Sequence, residues 1–392
     1  MMTCGNLEIS QRAKKNISYL RMELSKPNVS EDFAEKLVQK LYGLEVLTMK
    51  RMNSYDDQNF HIQVSQAHTN NYIKSVCEDG YTLKITNTEK SAIAGHFDAM
   101  HATMLHLHSK GLRVPIPLKN LSGNTWSLEK VPLLNEDENE KSEKCCGIHV
   151  LTFLPGVPLS TINCSNDILY QWGILMGKYH NATQDFVCPG LRDKYVFWNL
   201  ENIPKIKDYV HVLPADKKKI VDSILDRYPE EIEKNAPHFP RGIIHGDFNE
   251  NNVLIQKQHS ECGSTLLSVD GVLDFEDIHE GTYVWDVGVM MMYAMIVYTE
   301  ENVLCAPGHV LAGYLTERKF NNLELNSLKM CIECRFCQSL VYGAYSYSRD
   351  PQNEYLLETS KTGWDKLKSL TSEKNEDLLQ RWKNIADSWI KK

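Results

Sequence analysis

The hydrophobic pattern changes its period at Leu154-Pro155-Gly156, and that change limits what the chain can fold into. Upstream, Asn59 to Ser65 alternates, with Phe60, Ile62 and Val64 on one face and His61 and Gln63 on the other, the signature of a half-buried strand. Tyr81 to Thr86 follows the turn signal Asp79-Gly80 and reads as a second strand. Ser127 to Leu134 and Ile148 to Phe153 read as two more, joined by a charged, solvated loop from Asn135 to Lys144. Two helices stand among these strands. Glu31 to Tyr42 carries Phe33, Leu37 and Leu41 on one stripe, with Ser30 placed to cap it, Asp32 in its first turn and Gly43 to end it. Ala94 to Ser109 shows Phe97, Met100, Met104 and Leu107 at helical spacing. The stretch Gln66 to Glu78 has no clear period. Downstream, Asp167 to Thr183, Ala215 to Glu233 and Asp286 to Thr299 are helical, and further helices follow to the end. Strands first and helices afterwards predict an α+β architecture: a small antiparallel-sheet lobe and a larger, mainly helical lobe. The boundary falls at 154, so residues 1–153 and 154–392 form the two lobes.

Composition sets limits on partners. The 392 residues carry a formal net charge of −8, without a long Lys/Arg block. Binding a nucleic-acid backbone demands a basic face, so no nucleic-acid partner is expected. The most apolar run, Val287 to Tyr298, is too short to span a bilayer and predicts a buried core helix, so no membrane partner is expected either. Met1 to Lys15 lacks the apolar centre of a signal peptide, and the eleven cysteines are irregularly spaced; reduced thiols and a cytoplasmic location are expected. Cys331, Cys334 and Cys337 share a helical face near Ile332 and Phe336, which favours buried inert thiols over a metal cluster.

The chemistry concentrates in His245-Gly246-Asp247-Phe248-Asn249-Glu250-Asn251-Asn252, which runs into the apolar strand Val253 to Ile255. A second apolar strand, Gly271 to Leu273, ends at Asp274. A hairpin between the two strands would bring both ends to one rim. Phosphoryl transfer needs an acid group to orient and deprotonate the attacking hydroxyl, hard oxygen ligands for Mg²⁺, and a cation on the phosphates. Asp247 suits the first role as catalytic base. Asn252, five residues on, and Asp274 suit the metal. The same Asp-to-Asn spacing, followed by a metal-binding Asp on a later strand, marks the protein-kinase catalytic loop. Lys84, in Tyr81-Thr82-Leu83-Lys84, has the form of the strand lysine that meets the phosphates. Asp98 is its expected acidic partner and Glu89 the rival. Ser54, in the glycine-free turn Asn53 to Gln58, is a candidate phosphate cradle. Asp286 can cap the core helix, brace the catalytic loop, or do both, and His245 is expected to be a structural hydrogen-bonder.

At these residues the chain resembles the aminoglycoside phosphotransferase-like kinases. The His-Gly-Asp loop with its later Asn252, the pair Asp274-Phe275 and the hinge-like Leu154-Pro155-Gly156-Val157-Pro158-Leu159 carry the resemblance. More specific matches are Ser54-Tyr55-Asp56-Asp57-Gln58-Asn59-Phe60-His61, Phe197-Trp198-Asn199-Leu200 and Lys361-Thr362-Gly363-Trp364, and together they span about residues 45 to 365. The resemblance implies a protein-kinase-like bilobal fold, with the nucleotide-binding sheet in the first lobe and the catalytic loop and substrate site in the second. It implies transfer from GTP to the hydroxyl of 5-hydroxy-L-lysine, in amino-acid catabolism. ATP is the alternative donor, and the hinge around Thr152 and Leu154 would decide between the purines. Phe275-Glu276 follows the metal aspartate where glycine is expected, so a stiff loop is expected there.

For a diamino acid substrate, Glu276, Asp277 and Glu280 are candidate partners for the amines. Arg335 is expected in a surface salt bridge, with the substrate carboxylate as its other candidate partner. The alternatives are another small hydroxyl acceptor (homoserine, choline, methylthioribose or a sugar) or a non-catalytic pseudokinase. A choline site would want an aromatic box, for which Trp198, Tyr342, Tyr345 and Tyr347 are available.

Overall fold

The computed structural model describes residues 26–54, 56–132, 143–192, 194–259, 265–300, 302–349, 351–352 and 354–391. Residues 1–25, which include Met1 to Lys15, and most of the charged loop, 135–142, lie outside the described residues. The chain divides into two compact units, one made of residues up to Leu105 with Pro115–Leu154, the other of His106–Val114 and everything from Pro155 onward.

The first unit opens with α1 (Glu31–Tyr42). Ser30 Oγ accepts the Phe33 N–H at 3.2 Å, and Gly43, at φ 62°, ends the helix. Strands β1 (Leu44–Met52), β2 (Gln58–His68), β3 (Tyr81–Ile85), β4 (Ser127–Pro132) and β5 (Glu143–Thr152) form one antiparallel sheet in the order β1-β2-β3-β5-β4. Phe60, Ile62 and Val64 alternate into the core beside Leu83, Ile148 and Val150. Strand β1 gives no sequence signal because its register shifts between Leu44, Val46 and Thr48, which breaks the alternation that marks a strand. β5 begins five residues before its apolar run because its first residues are exposed. Helix α2 (His96–Ser109) puts Phe97 against β5, where Gly147 leaves the room: a Cβ there would lie 2.1 Å from the Phe97 ring.

The second unit holds two small sheets and most of the helices. β6 (Val157–Pro158), β8 (Val253–His259) and β9 (Thr265–Val272) form one sheet, while β7 (Arg241–Ile244) pairs with β10 (His279–Thr282). The helices are α3 (Asn166–Ala182), α4 (Ala215–Glu231), α5 (Tyr283–Val297), α6 (Ala306–Glu317), α7 (Asn322–Arg349), α8 (Ser360–Ser372) and α9 (Asn375–Ile390). α5 is apolar all round and buried from Tyr283 to Met295, as a core helix must be. No helix among the described residues is long and apolar enough to cross a membrane. Cys331, Cys334 and Cys337 are buried on α7, and burial holds all three thiols well above their usual range.

Helices α3 and α6 meet backbone to backbone. A Cβ on Gly313 would lie 1.8 Å from the Tyr170 carbonyl oxygen, and one on Gly173 would lie 2.0 Å from that of Val310. Gly313→Ala is therefore expected to push the two helices apart and cost about 1–3 kcal/mol. A denaturant midpoint equal to wild type would contradict this packing.

Candidate active site

The loop between β7 and β8 is shaped by its own side chains and by one buried acid. Asn249 Oδ1 accepts the N–H groups of Asn251 and Asn252 at 2.8 and 3.1 Å, and the Asn249 N–H donates to the Asp247 carbonyl at 2.9 Å. This is the side-chain-to-backbone turn that asparagine favours. Gly246 sits at φ 81°, and a Cβ there would lie 2.6 Å from the Asp277 carbonyl oxygen, so both conformation and space require glycine.

Asp286, on α5, takes the loop's two orphan donors: the His245 N–H on Oδ2 and the Gly246 N–H on Oδ1, both at 2.9 Å. It braces the loop, and Thr282, not Asp286, stands at the helix N-cap. His180 Nε2 donates to Asp286 Oδ2 at 3.1 Å, and the Tyr314 hydroxyl donates to His180 Nδ1 at 3.0 Å. Burial pushes the Asp286 carboxyl up, but the bond from His180 and the donors of the loop outweigh it and hold it below its usual range. Burial pushes His180 down, which keeps it neutral in that tautomer. Asp286→Ala would leave a set of buried donors unpaired, and a loss of about 3–5 kcal/mol is expected in denaturant unfolding at neutral pH. The folded carboxyl's pKa lies below the unfolded one, so this contribution is full at neutral pH and fades as the pH falls through the acid range.

Asp247 is held on both oxygens. Arg335 Nη2 donates to Oδ1 at 2.7 Å, while Asn249 Nδ2 and Asn252 Nδ2 donate to Oδ2 at 2.8 and 3.3 Å. Arg335 corrects an expectation: it is not on the surface, being only 2% exposed. Its Nη2 also donates to the Tyr293 hydroxyl at 3.2 Å, and its guanidinium lies 4.7 Å from the Trp198 ring centre. The signal for burial was present, since Cys331, Ile332, Cys334, Phe336 and Cys337 surround it on α7. The partner carried no signal.

The hairpin β8–β9 brings the metal candidates to one rim. Val253 pairs with Val272, the Leu273 N–H donates to the Asn252 carbonyl at 2.8 Å, and His245 Nε2 donates to the Leu273 carbonyl at 2.9 Å. Asn252 also donates its Nδ2 to the Asp247 carbonyl at 3.0 Å, which leaves its Oδ1 as the acceptor of that side chain. Asn252 Oδ1 and the exposed Asp274 carboxylate are hard oxygen donors, the kind Mg²⁺ prefers. Asp274 has φ 56°, alone among the described non-glycine residues. A stiff loop is expected at Phe275-Glu276; the left-handed backbone lies on Asp274 just before it, on the candidate ligand itself, where it costs about 1–3 kcal/mol.

In the first unit, Lys84 is 8% exposed on β3, paired across the sheet with Asn59 and His149. Asp98 corrects a second expectation: it is exposed, and its carboxylate accepts the Trp126 indole N–H at 2.9 Å instead of meeting Lys84. Helical phase explains this, because the buried face of α2 presents His101. Burial, with the charge of Lys84 added, pushes that imidazole down to about 3, and it bonds His149 at 3.0 Å. Ser54 Oγ accepts the Asp57 N–H at 3.1 Å and so closes the β1–β2 turn. At the hinge, Thr152 Oγ1 accepts the Ile116 N–H at 2.9 Å, and Leu154 is half-buried.

Among the amine candidates, Glu276 is buried and Glu280 pairs with Arg192 at 3.7 Å. A different acid was missed. Glu250, three residues after Asp247, is buried, and burial together with the charge of Asp247 pushes its carboxyl up to about 7, against the pull of Arg335. Its place in an Asn-rich polar loop hid that burial.

Residues 62–316 match the model of the phosphotransferase enzyme family. The hydroxylysine kinase of Xenopus laevis is 33% identical over 374 residues, which cover 93% of this chain and 96% of that protein. The hydroxylysine kinase of Bos taurus is 32% identical over 372 residues, with 93% and 96% covered. Among solved structures, an amicoumacin kinase in complex with AMP-PNP, Ca²⁺ and Ami is similar with a TM-score of 0.59 and 16% identity, over 86% of this chain and 94% of that one. The antiparallel sheet of the first unit and the helical second unit are those of a protein-kinase-like α+β fold.

Proposed function

Because the chain belongs to the phosphotransferase enzyme family and is a kinase of a small-molecule hydroxyl, we propose that its acceptor is the side-chain hydroxyl of 5-hydroxy-L-lysine and its donor GTP. The reading includes Mg²⁺, a role in hydroxylysine breakdown and a cytoplasmic location. It is supported by the hydroxylysine kinases of Xenopus laevis and Bos taurus, which align over nearly their whole length.

The observation that carries the mechanism is the hold on Asp247. A carboxylate has about four acceptor places. The described residues fill three, two on Oδ2 by asparagine amides and one on Oδ1 by Arg335. The remaining place is on Oδ1, and there the acceptor hydroxyl donates its proton. Asp247 orients the hydroxyl oxygen and takes the proton as the bond to the γ-phosphorus forms. Asn252 and Asp274 would hold Mg²⁺, whose chemistry when bound is to offset the phosphate charge. Lys84 would contact the phosphates, with Ser54, Thr152 and Leu154 serving the nucleotide.

Choline fits less well. A quaternary ammonium needs an open aromatic face, and one face of Trp198 is already taken by the Arg335 guanidinium, 4.7 Å from the ring centre.

The test is a nucleoside-diphosphate release assay over 5-hydroxy-L-lysine, homoserine, choline and an aminoglycoside, each with GTP and with ATP. The highest kcat/KM is expected for 5-hydroxy-L-lysine with GTP. A higher value for another acceptor, or for ATP, removes that part of the proposal.

A further inference from the structure

Glu250 has a polar atom that nothing among the described residues explains. Its Oε2 is closed to bulk water and has no hydrogen-bond partner among them. The side-chain bond it does make is a long one, from Asn251 Nδ2 at 3.4 Å. Burying a carboxylate with an unpaired oxygen is costly, and such groups are retained where a ligand completes them. Arg335, the cation whose charge reaches Glu250, does not fill the gap. Its bonds go to Asp247, Tyr293 and Gln338. The residue keeps 9% of its surface open, beside the exposed Asn251, so it is not sealed in the core.

Position supplies the second half of the argument. Glu250 lies three residues after the base, in the turn whose Asn249 donates to Asp247 Oδ2 at 2.8 Å and accepts the Asn251 N–H at 2.8 Å. An ammonium on the carbon next to a reacting hydroxyl stands about one hydrogen-bond length from that hydroxyl's oxygen. The acid that recognises it must therefore stand close to the base. Glu250 does so, whereas Glu280 is already paired with Arg192.

We infer that Glu250 is a specificity residue that binds the ammonium next to the acceptor hydroxyl, which makes the substrate class a β-amino alcohol. This rests on the acceptor proposed above. The cation that completes Glu250 arrives with the substrate, so a charge-assisted bond forms only when the correct acceptor is seated.

The experiment compares two acceptors on the full-length protein. One is 5-hydroxy-L-lysine. The other is 2-amino-5-hydroxyhexanoic acid, which keeps the hydroxyl, the α-amine and the carboxylate and lacks only the neighbouring ammonium. Wild type is expected to favour the first by about 10²-fold or more in kcat/KM, as loss of a charged buried partner implies. In Glu250→Gln the preference is expected to fall to within about threefold, mainly through KM, and Glu250→Asp should recover part of it. A merely structural glutamate would lower both acceptors alike, so an unchanged preference in Glu250→Gln overturns the inference. Should wild type phosphorylate neither, the hydroxylysine assignment falls. The same variants are then compared on 1-amino-2-propanol and 1,2-propanediol, where a preference untouched by Glu250→Gln overturns the inference by itself.

Discussion

Asp247→Asn is expected to lower kcat by roughly 10²–10⁴-fold, the usual range for losing a general base, while Mg·GTP still binds. Asparagine has the size of aspartate but presents an N–H₂ group. That group faces either Arg335 or the two amides of Asn249 and Asn252, all of which are donors. The variant loses the proton sink in either orientation, and with the N–H₂ on the Arg335 side it loses the acceptor place for the hydroxyl as well. It also leaves Arg335, 2% exposed, without its counter-charge. Breaking a buried pair by removing one partner costs about 3–5 kcal/mol, so a fall in thermal stability should accompany the loss of turnover. Rates are then to be read well below the new midpoint. A stable, active Asp247→Asn enzyme would remove Asp247 from the chemistry and Arg335 from its role in orienting the base.

Asp274 yields the second large effect, and two substitutions separate its charge from its backbone. Asp274→Gly and Asp274→Ala both lose the carboxylate, and both are expected to abolish Mg²⁺-dependent nucleotide binding in calorimetry. They differ in conformation. At φ 56° glycine is unstrained, whereas alanine costs about 1–2 kcal/mol. The glycine variant should accordingly be the more stable of the two by about that amount. Equal stability would show that the backbone relaxes without cost. Unchanged Mg·GTP affinity in either variant would contradict a metal role for Asp274. The strained turn follows a firmly held strand end, with the Leu273 N–H on Asn252 and the Leu273 carbonyl on His245. A strained residue on such a support is common at functional sites.

What was legible in the sequence was local. Helix α1 carries its own cap and stop in Ser30 and Gly43, so its bounds could be read from neighbouring residues. The β8–β9 hairpin follows from two apolar runs on either side of polar residues, and pairing Val253 with Val272 puts Asn252 and Asp274 at one end. Strand β1 was not legible, because a bulged strand has no strict period to detect. The same holds for the start of β5, whose exposed residues are ordered by their partners on β4 and not by an apolar face. Asp98 shows the limit from the other side. An acid one strand–helix step from Lys84 is plausible by spacing, but helical phase places it on the open face with Trp126.

By itself the sequence determined the shape of the candidate catalytic loop, because the Asp247-to-Asn252 spacing and the Asn249 turn are set by bonds reaching at most a few residues. It also determined the change from strands to helices along the chain, which hydrophobic period records directly. Only the tertiary structure decided what surrounds Asp247. Arg335 reaches it from 88 residues away and Asp286 braces its loop from about 40 away. Periodicity reports that a residue is buried and cannot report which distant group meets it. That pairing exists only once the helices have packed, and so does the enclosed, unpaired oxygen of Glu250.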